Sequence, residues 1–295
     1  MDDSGVRGRP LSGRVHDSPV TRGGAPSRHG THPATCLALV TGWEDRARLR
    51  TALHGSAEVV FVTSVVDVLH AMRTDRTGIR AVILEARDAS NRPSAGLARQ
   101  VTRLFPTIPV IGYCSALAAD SQDIIALSSA GVHELVFKKL DDHAALLRAL
   151  LLSAEQACIA DLVLHHLDAH LPMRVRSFVE YCLTNPEEAH SVNQVAYALG
   201  VNRKTLVNHC RTEGFPPPGT VVAWCLILLT VGLLSTPGVT VERISIQLNF
   251  SSSTALRNML KRHTGMRPGE LRTANALGEL CARFLGIQAK HAARA

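Results

Sequence analysis

From Ala34 to about Ser153 the chain alternates short apolar runs with stretches of helical spacing. The runs are Cys36–Thr41, Val59–Ser64, Ala81–Ala86, Ile108–Cys114 and Glu134–Lys138. Each has the length and composition of a buried strand. Between them, Asp45–Leu53, Val65–Met72, Ser94–Leu104, Asp120–Ala130 and the stretch from Asp142 onward place apolar residues three and four apart. Strands alternating with helices predict an α/β domain built on a doubly wound, parallel, five-stranded sheet. Pro106 and Pro109 punctuate the entry to the fourth strand.

After Asp142 the period stays helical. Leu147, Leu150, Leu151, Ala154 and Cys158 make a stripe suited to the sheet or to a partner helix, and Pro172 ends the run. Arg174–Thr184 is a further helix with Val175, Phe178, Val179 and Cys182 on one face, closed by the turn at Asn185-Pro186. Then one pattern occurs twice, in Ser191–Gly214 and in Thr240–Gly265. Val195, Ala196 and Leu199 fall at helical spacing, Gly200 breaks it, and Leu206 resumes it. Ile244, Ser245 and Leu248 repeat this, with Asn249 in the glycine's place and Leu256 and Leu260 resuming. Gly and Asn tolerate the left-handed backbone of a tight turn, and small Ala196 and Ser245 suit a close helix crossing. The pattern predicts an all-α tandem helix-turn-helix, whose second helices lie in the major groove.

Ser191 with Gln194 fits a capping box, and Asn202 and Ser251 are the expected N-caps of the two reading helices. In the first reading helix Arg203, Lys204 and Asn208 are candidate base readers and Arg211 a candidate phosphate contact. Arg pairs with guanine O6/N7 and Asn with adenine N6/N7. The second begins Ser252, Ser253, Thr254; Arg257 is its long-armed reader, and Lys261 and Arg262 suit phosphates. Thr220–Leu234, between the copies, is apolar nearly all round. At about 22 Å it is too short to span a membrane. It must be covered on every side, and the N-terminal domain or a second subunit is the expected cover.

Asn249-Phe250, Leu256, Lys261, Gly265 and Pro268 resemble the signature of AraC-family DNA-binding domains. The resemblance implies two helix-turn-helix units joined by a linker helix. Asn249, Leu260 and Arg267 depart from the family's Gly, Phe and Thr. Leu226 stands where relatives have an Arg, and Leu228, Leu229 and Gly232 where they have polar residues. The N-terminal half, through FPTIPVIGYCSA and SAGVHELVFKKLDD, resembles the receiver domain of response regulators. That resemblance implies a Mg²⁺-binding acidic pair after the first strand, a phospho-accepting Asp, a Ser/Thr and a Lys. Here Thr41-Gly42 stand for the acidic pair, with Glu44 and Asp45 nearby. Glu85 takes the acceptor's place, Cys114-Ser115 the hydroxyl position and Lys138 the lysine, followed by Lys139 rather than Pro. Glu85, Ser115 and Lys138 therefore form a degenerate phospho-acceptor site, with Glu85 expected to pair with Lys138.

Charge follows the same division. Residues 172–295 carry 14 Lys+Arg against 7 Asp+Glu, whereas residues 34–171 carry 13 against 15. A basic module on a near-neutral one fits nucleic-acid binding. Seven scattered cysteines predict neither a disulfide framework nor a zinc site, and fit a reducing cytoplasm. His165, His166 and His170 lack an evident third metal ligand apart from Asp168; no metal or cofactor is expected, and no catalytic motif marks an enzyme. The expected domains are a disordered tail over 1–33, a receiver-like domain over 34–153, a connecting helix over 154–172, the tandem helix-turn-helix over 173–285 and a tail over 286–295. The expected function is sequence-specific transcription regulation on double-stranded DNA in the cytoplasm, without phosphorylation and without a membrane. The alternative is an interaction protein whose DNA module has lost specific binding. RNA polymerase and a second copy of the chain are further candidate partners, the copy through the connecting helix or the apolar linker helix.

Overall fold

The computed structural model describes residues 34–74, 78–117 and 121–293, so the expected N-terminal tail lies outside the described residues. Strands β1 (Thr35–Leu39), β2 (Glu58–Val62), β3 (Ile79–Glu85), β4 (Val110–Cys114) and β5 (Glu134–Phe137) form a single parallel sheet in the order β2-β1-β3-β4-β5. Alternation sorts their side chains onto two faces. Cys36, Ala38, Ala81, Ile83, Ile111 and Tyr113 pack with Leu49 and Leu53 of α1 (Trp43–Leu53) and Leu147 and Leu151 of α5 (Ala144–Leu167). Leu37, Leu39, Val82, Leu84 and Val110 pack on the other face with α2 (Val65–Thr74), α3 (Ala95–Leu104) and α4 (Ser121–Ser128). The order reverses between β1 and β3, and at such a switch point the carboxyl ends of parallel strands open a crevice. Thr41 and Glu85 lie there.

The expected break at Ser153 falls inside a helix. α5 runs unbroken from Ala144 to Leu167, so residues 154–167 continue a helix that starts on the sheet. Leu147, Leu151 and Ala154 belong to the sheet's core; Ile159, Ala160, Val163 and Leu167 belong to the core of the C-terminal half. Inside this junction Arg80 of β3 and Glu155 of α5 form a two-pronged ion pair, both side chains 1% exposed, and Arg80 also donates to the Ser56 carbonyl at 3.1 Å. A buried pair of this kind is tolerated where hydrogen bonds satisfy both partners.

The C-terminal half consists of α6 (Met173–Thr184), α7 (Val192–Ala198), α8 (Arg203–Thr212), α9 (Pro218–Leu234), α10 (Val241–Gln247), α11 (Ser253–Thr264) and α12 (Ala276–Ala292). The segment 286–295, expected as a tail, is thus helical to Ala292. The apolar linker helix is α9, with Leu226, Leu228 and Leu229 at 3%, 0% and 0% exposure. Its cover differs from expectation. The second half of α5, together with α6 and α12, encloses it, with α7, α8, α10 and α11 completing the jacket. Trp224 stacks on Phe284 of α12 at 5.8 Å, and Gly232 gives Ile159 of α5 its place. α9 is therefore interior and offers no homodimer surface. α5 is taken up likewise; from Ser153 on, its exposed residues are Ser153, Asp161, His165 and His166, a polar set unsuited to an apolar dimer seam. Arg272 donates to the carbonyls of Leu234 and Val239 at 2.8 and 2.7 Å, and so satisfies the carboxyl end of α9.

Candidate functional site

The two copies of the repeated pattern fold alike. Gly200 and Asn249 both have left-handed backbones, φ 66° and 55°. After each, a backbone N–H reaches back five residues, Val201 to the Ala196 carbonyl at 2.9 Å and Phe250 to the Ser245 carbonyl at 2.8 Å. Ser191 and Thr240 cap the first helices by accepting from Asn193 N and Arg243 N. Asn202 caps α8, accepting from Thr205 N at 2.7 Å. The cap of α11 is Ser252, accepting from Ala255 N at 3.1 Å, and not Ser251. Of the consecutive serines, Ser252 is the one whose extended backbone lets its hydroxyl meet the first turn.

On α8, Leu206 and Cys210 face the core; Arg203, Lys204 and Arg211 are exposed and Asn208 half-buried. Arg211 donates to the Asn208 amide oxygen at 3.4 Å. On α11, Leu256, Leu260 and Thr264 face inward; Ser252, Thr254, Arg257, Lys261 and Arg262 are exposed and Ser253 half-buried. Arg257, read as the long arm of this helix, is folded back. It donates to Ser253 Oγ at 2.9 Å and to Glu242 Oε1 of α10 at 2.5 Å.

Sequence reasoning missed the brace between the units. Asn249 Nδ2 donates to the Glu187 carbonyl at 3.0 Å, and His190 Nε2 lies 2.6 Å from the Leu248 carbonyl, its ring edge-on to Phe250 at 5.0 Å. The segment entering the first unit is thereby fastened to the turn of the second. Gln247 of α10 donates to the Leu152 carbonyl of α5 at 3.2 Å. The polar Asn249 in the family's glycine position was the one available signal.

At the crevice of the sheet, Glu85 ends β3 nearly buried. Its Oε2 accepts from Thr41 N at 2.7 Å and Thr41 Oγ at 2.8 Å, and its Oε1 accepts from the Lys138 ammonium. Lys138 also lies 2.9 Å from Asp45 Oδ2 and 5.2 Å from the Tyr113 ring centroid. Arg48 joins Asp45 to Asp142, which accepts from Tyr113 OH at 2.6 Å. Burial pulls the Lys138 pKa down, but the hydrogen bonds and charges of Glu85 and Asp45 outweigh it, so the ammonium is held above its ordinary value. Burial works against the Asp142 carboxylate, and the bonds from Tyr113 and Arg48 more than reverse this, leaving it below the carboxylate range. Ser115 lines the same open cavity of about 590 Å³, whose rim carries exposed Trp43, Leu117 and Leu140. Its hydroxyl accepts from Leu117 N at 3.3 Å. Among the described residues no group of three His, Cys, Asp or Glu side chains is placed to hold a metal, and no helix is long and apolar enough to cross a membrane. His165, His166 and His170 lie exposed at the end of α5 and just beyond it.

Residues 195–274 match the family model of a helix-turn-helix domain. No curated protein matches the chain. Among solved structures, a receiver domain protein from Clostridium thermocellum is 18% identical over 41% of this chain and 94% of its own, with a TM-score of 0.36. Full-length FixJ from B. japonicum is 12% identical over 79% and 98%, TM-score 0.34. RcsB from Salmonella enterica serovar Typhimurium, bound to promoter rprA, is 12% identical over 64% and 98%, TM-score 0.32. The repeated turn and the matched segment together identify a helix-turn-helix domain, carried behind a parallel, five-stranded α/β domain.

Proposed function

We propose that this chain is a sequence-specific, duplex-DNA-binding transcription regulator whose receiver-like domain takes no phosphoryl group. The observation that carries the reading is the pair of like turns, each presenting a capped helix with an exposed polar stripe. Arg203, Lys204 and Asn208 read base edges and Arg211 holds phosphate; Ser252, Ser253 and Thr254 approach the backbone with the amino end of α11, and Lys261 and Arg262 hold phosphate. With Arg257 engaged by Glu242, α8 carries most of the sequence information. In the receiver-like half, both Glu85 oxygens are occupied by Thr41 and Lys138, and Asp45, which a metal would need, is held by Lys138 and Arg48. The carboxylate in the acceptor's place is thus already engaged on both oxygens.

The test is duplex binding by the full chain across a salt series. Affinity falls steeply with salt as phosphate contacts release counterions. Arg203→Ala relaxes preference at one or two base pairs, at about 1–3 kcal/mol, while Lys261→Ala weakens all sequences alike. Binding that is blind to sequence and indifferent to Arg203→Ala favours the second reading, an interaction protein; the retracted Arg257 is the observation on that side.

A further inference from the structure

One residue on the outward side of α8 breaks its polar character. Val207 is a β-branched apolar side chain, 40% exposed on a helix surface. Arg203, Lys204, Val207, Asn208 and Arg211 recur at i, i+1, i+4, i+5 and i+8, so they form one stripe, which runs beside the buried edge of Leu206 and Cys210. Val207 sits mid-stripe, one turn after Arg203 and one before Arg211. Helix formation does not ask for valine there, since Ala, Lys or Gln would serve better, and its exposed surface adds nothing to the core. One flank of Val207 lines a shallow cleft with Phe215, Pro217 and His291.

We infer that Val207 is a specificity-determining residue that receives the C5-methyl group of a thymine in the major groove. The inference rests on the DNA-binding reading above. Of the four bases, thymine alone offers a methyl group on the major-groove edge, and an apolar side chain is its matching surface. Val207 can neither donate nor accept a hydrogen bond. It gains by removing the methyl from water, and it leaves a cytosine amino group without a partner. Its neighbours divide the remaining code, with Arg203 and Lys204 suited to guanine and Asn208 to adenine. The stripe therefore reads a thymine set among purines, and Val207 marks where it lies.

The experiment uses the full chain and a duplex enriched by it from a randomised pool. Each thymine of that duplex is replaced in turn by uracil, which differs by the methyl group alone, and binding is measured for the wild type and for Val207→Ala. Burial of one methyl corresponds to about a four-fold change in Kd. At one position uracil weakens the wild type by about four-fold and leaves Val207→Ala unchanged, and the variant binds the thymine duplex about as the wild type binds the uracil duplex. Circular dichroism confirms that Val207→Ala is folded. If a duplex is enriched but every uracil substitution affects both proteins equally, Val207 reads no methyl and the inference is overturned while DNA recognition stands. If no sequence is enriched, the DNA reading fails and takes this inference with it.

Discussion

Gly232→Ala tests whether α5 is an integral wall of the DNA-binding half. A Cβ built on Gly232 would fall well inside contact distance of Ile159 Cγ2, and 3.2 and 3.3 Å from Cγ1 and Cβ. These are the stem atoms of a β-branched side chain that is 3% exposed. They lie close to the α5 backbone and cannot rotate away, because β-branched residues in helices have one strongly preferred rotamer. Either α5 or α9 must shift. Overpacking of this kind costs about 1–3 kcal/mol, while replacing a mid-helix glycine by alanine returns about 1 kcal/mol. The net is a loss of about 1 kcal/mol.

The sharper quantity is a sign. Ile159→Ala removes the two nearest atoms, Cγ2 and Cγ1, and by itself costs about 2–5 kcal/mol. In that background only the Cβ of residue 159, 3.3 Å away, opposes Gly232→Ala, and a shift of a few tenths of an ångström relieves it, so most of the helix-propensity gain of about 1 kcal/mol is recovered. The substitution is destabilising with Ile159 and stabilising without it, a coupling of about 1–3 kcal/mol. Urea unfolding followed by Trp224 fluorescence suits the measurement, since Trp224 is buried on α9 beside the perturbed site while Trp43 is 78% exposed. If Gly232→Ala stabilises both backgrounds, Ile159 does not occupy the notch, and α5 is an outer connector rather than a wall.

Two further outcomes follow. Leu229→Glu puts an unpaired carboxylate into a helix enclosed on all sides, a burial that costs on the order of several kcal/mol; sedimentation should show an unchanged subunit number, and proteolysis should show the C-terminal half opened. The receiver-like half should gain no phosphoryl mass from acetyl phosphate with Mg²⁺, and a stable acyl-phosphate on Glu85 seen by mass spectrometry would refute the closed-site argument.

The strands were readable because each is short, nearly all apolar and bounded by turn residues. The repeated turn was readable because Gly200 and Asn249 are conformational requirements as well as sequence letters. Three features were not readable, for three reasons. Ser251, Ser252 and Ser253 are chemically equal as caps, and only the backbone angle at Ser252 selects among them. The cover on α9 comes from Ile159 and Phe284, far from it in the chain, and periodicity shows that a helix is buried without showing by what. Glu155 looks like the polar face of an amphipathic helix; its partner Arg80 lies 75 residues away in a strand, and the pairing removes both from water. Among the candidate site residues, the sequence placed Arg257 on α11 but could not show Glu242 beside it on a neighbouring helix.

The same two elements touch both halves of the molecule. β3 carries Glu85 at its carboxyl end and Arg80 near its start. α5 starts just after Asp142, meets Arg80 through Glu155, and ends in the core that encloses α9. One mechanical route from Glu85 to the DNA-binding half runs along β3 through the Arg80–Glu155 pair. That pair is completely buried, and parting its charges without new partners costs about 3–5 kcal/mol. A signal shifts an equilibrium only by the difference in its affinity for the two states. On the proposed reading, the crevice is already filled by the Glu85–Lys138 pair and receives no phosphoryl group that could supply such a difference. α5 then acts as a fixed wall of the DNA-binding half, and on that reading whatever controls DNA binding acts through contacts other than this crevice.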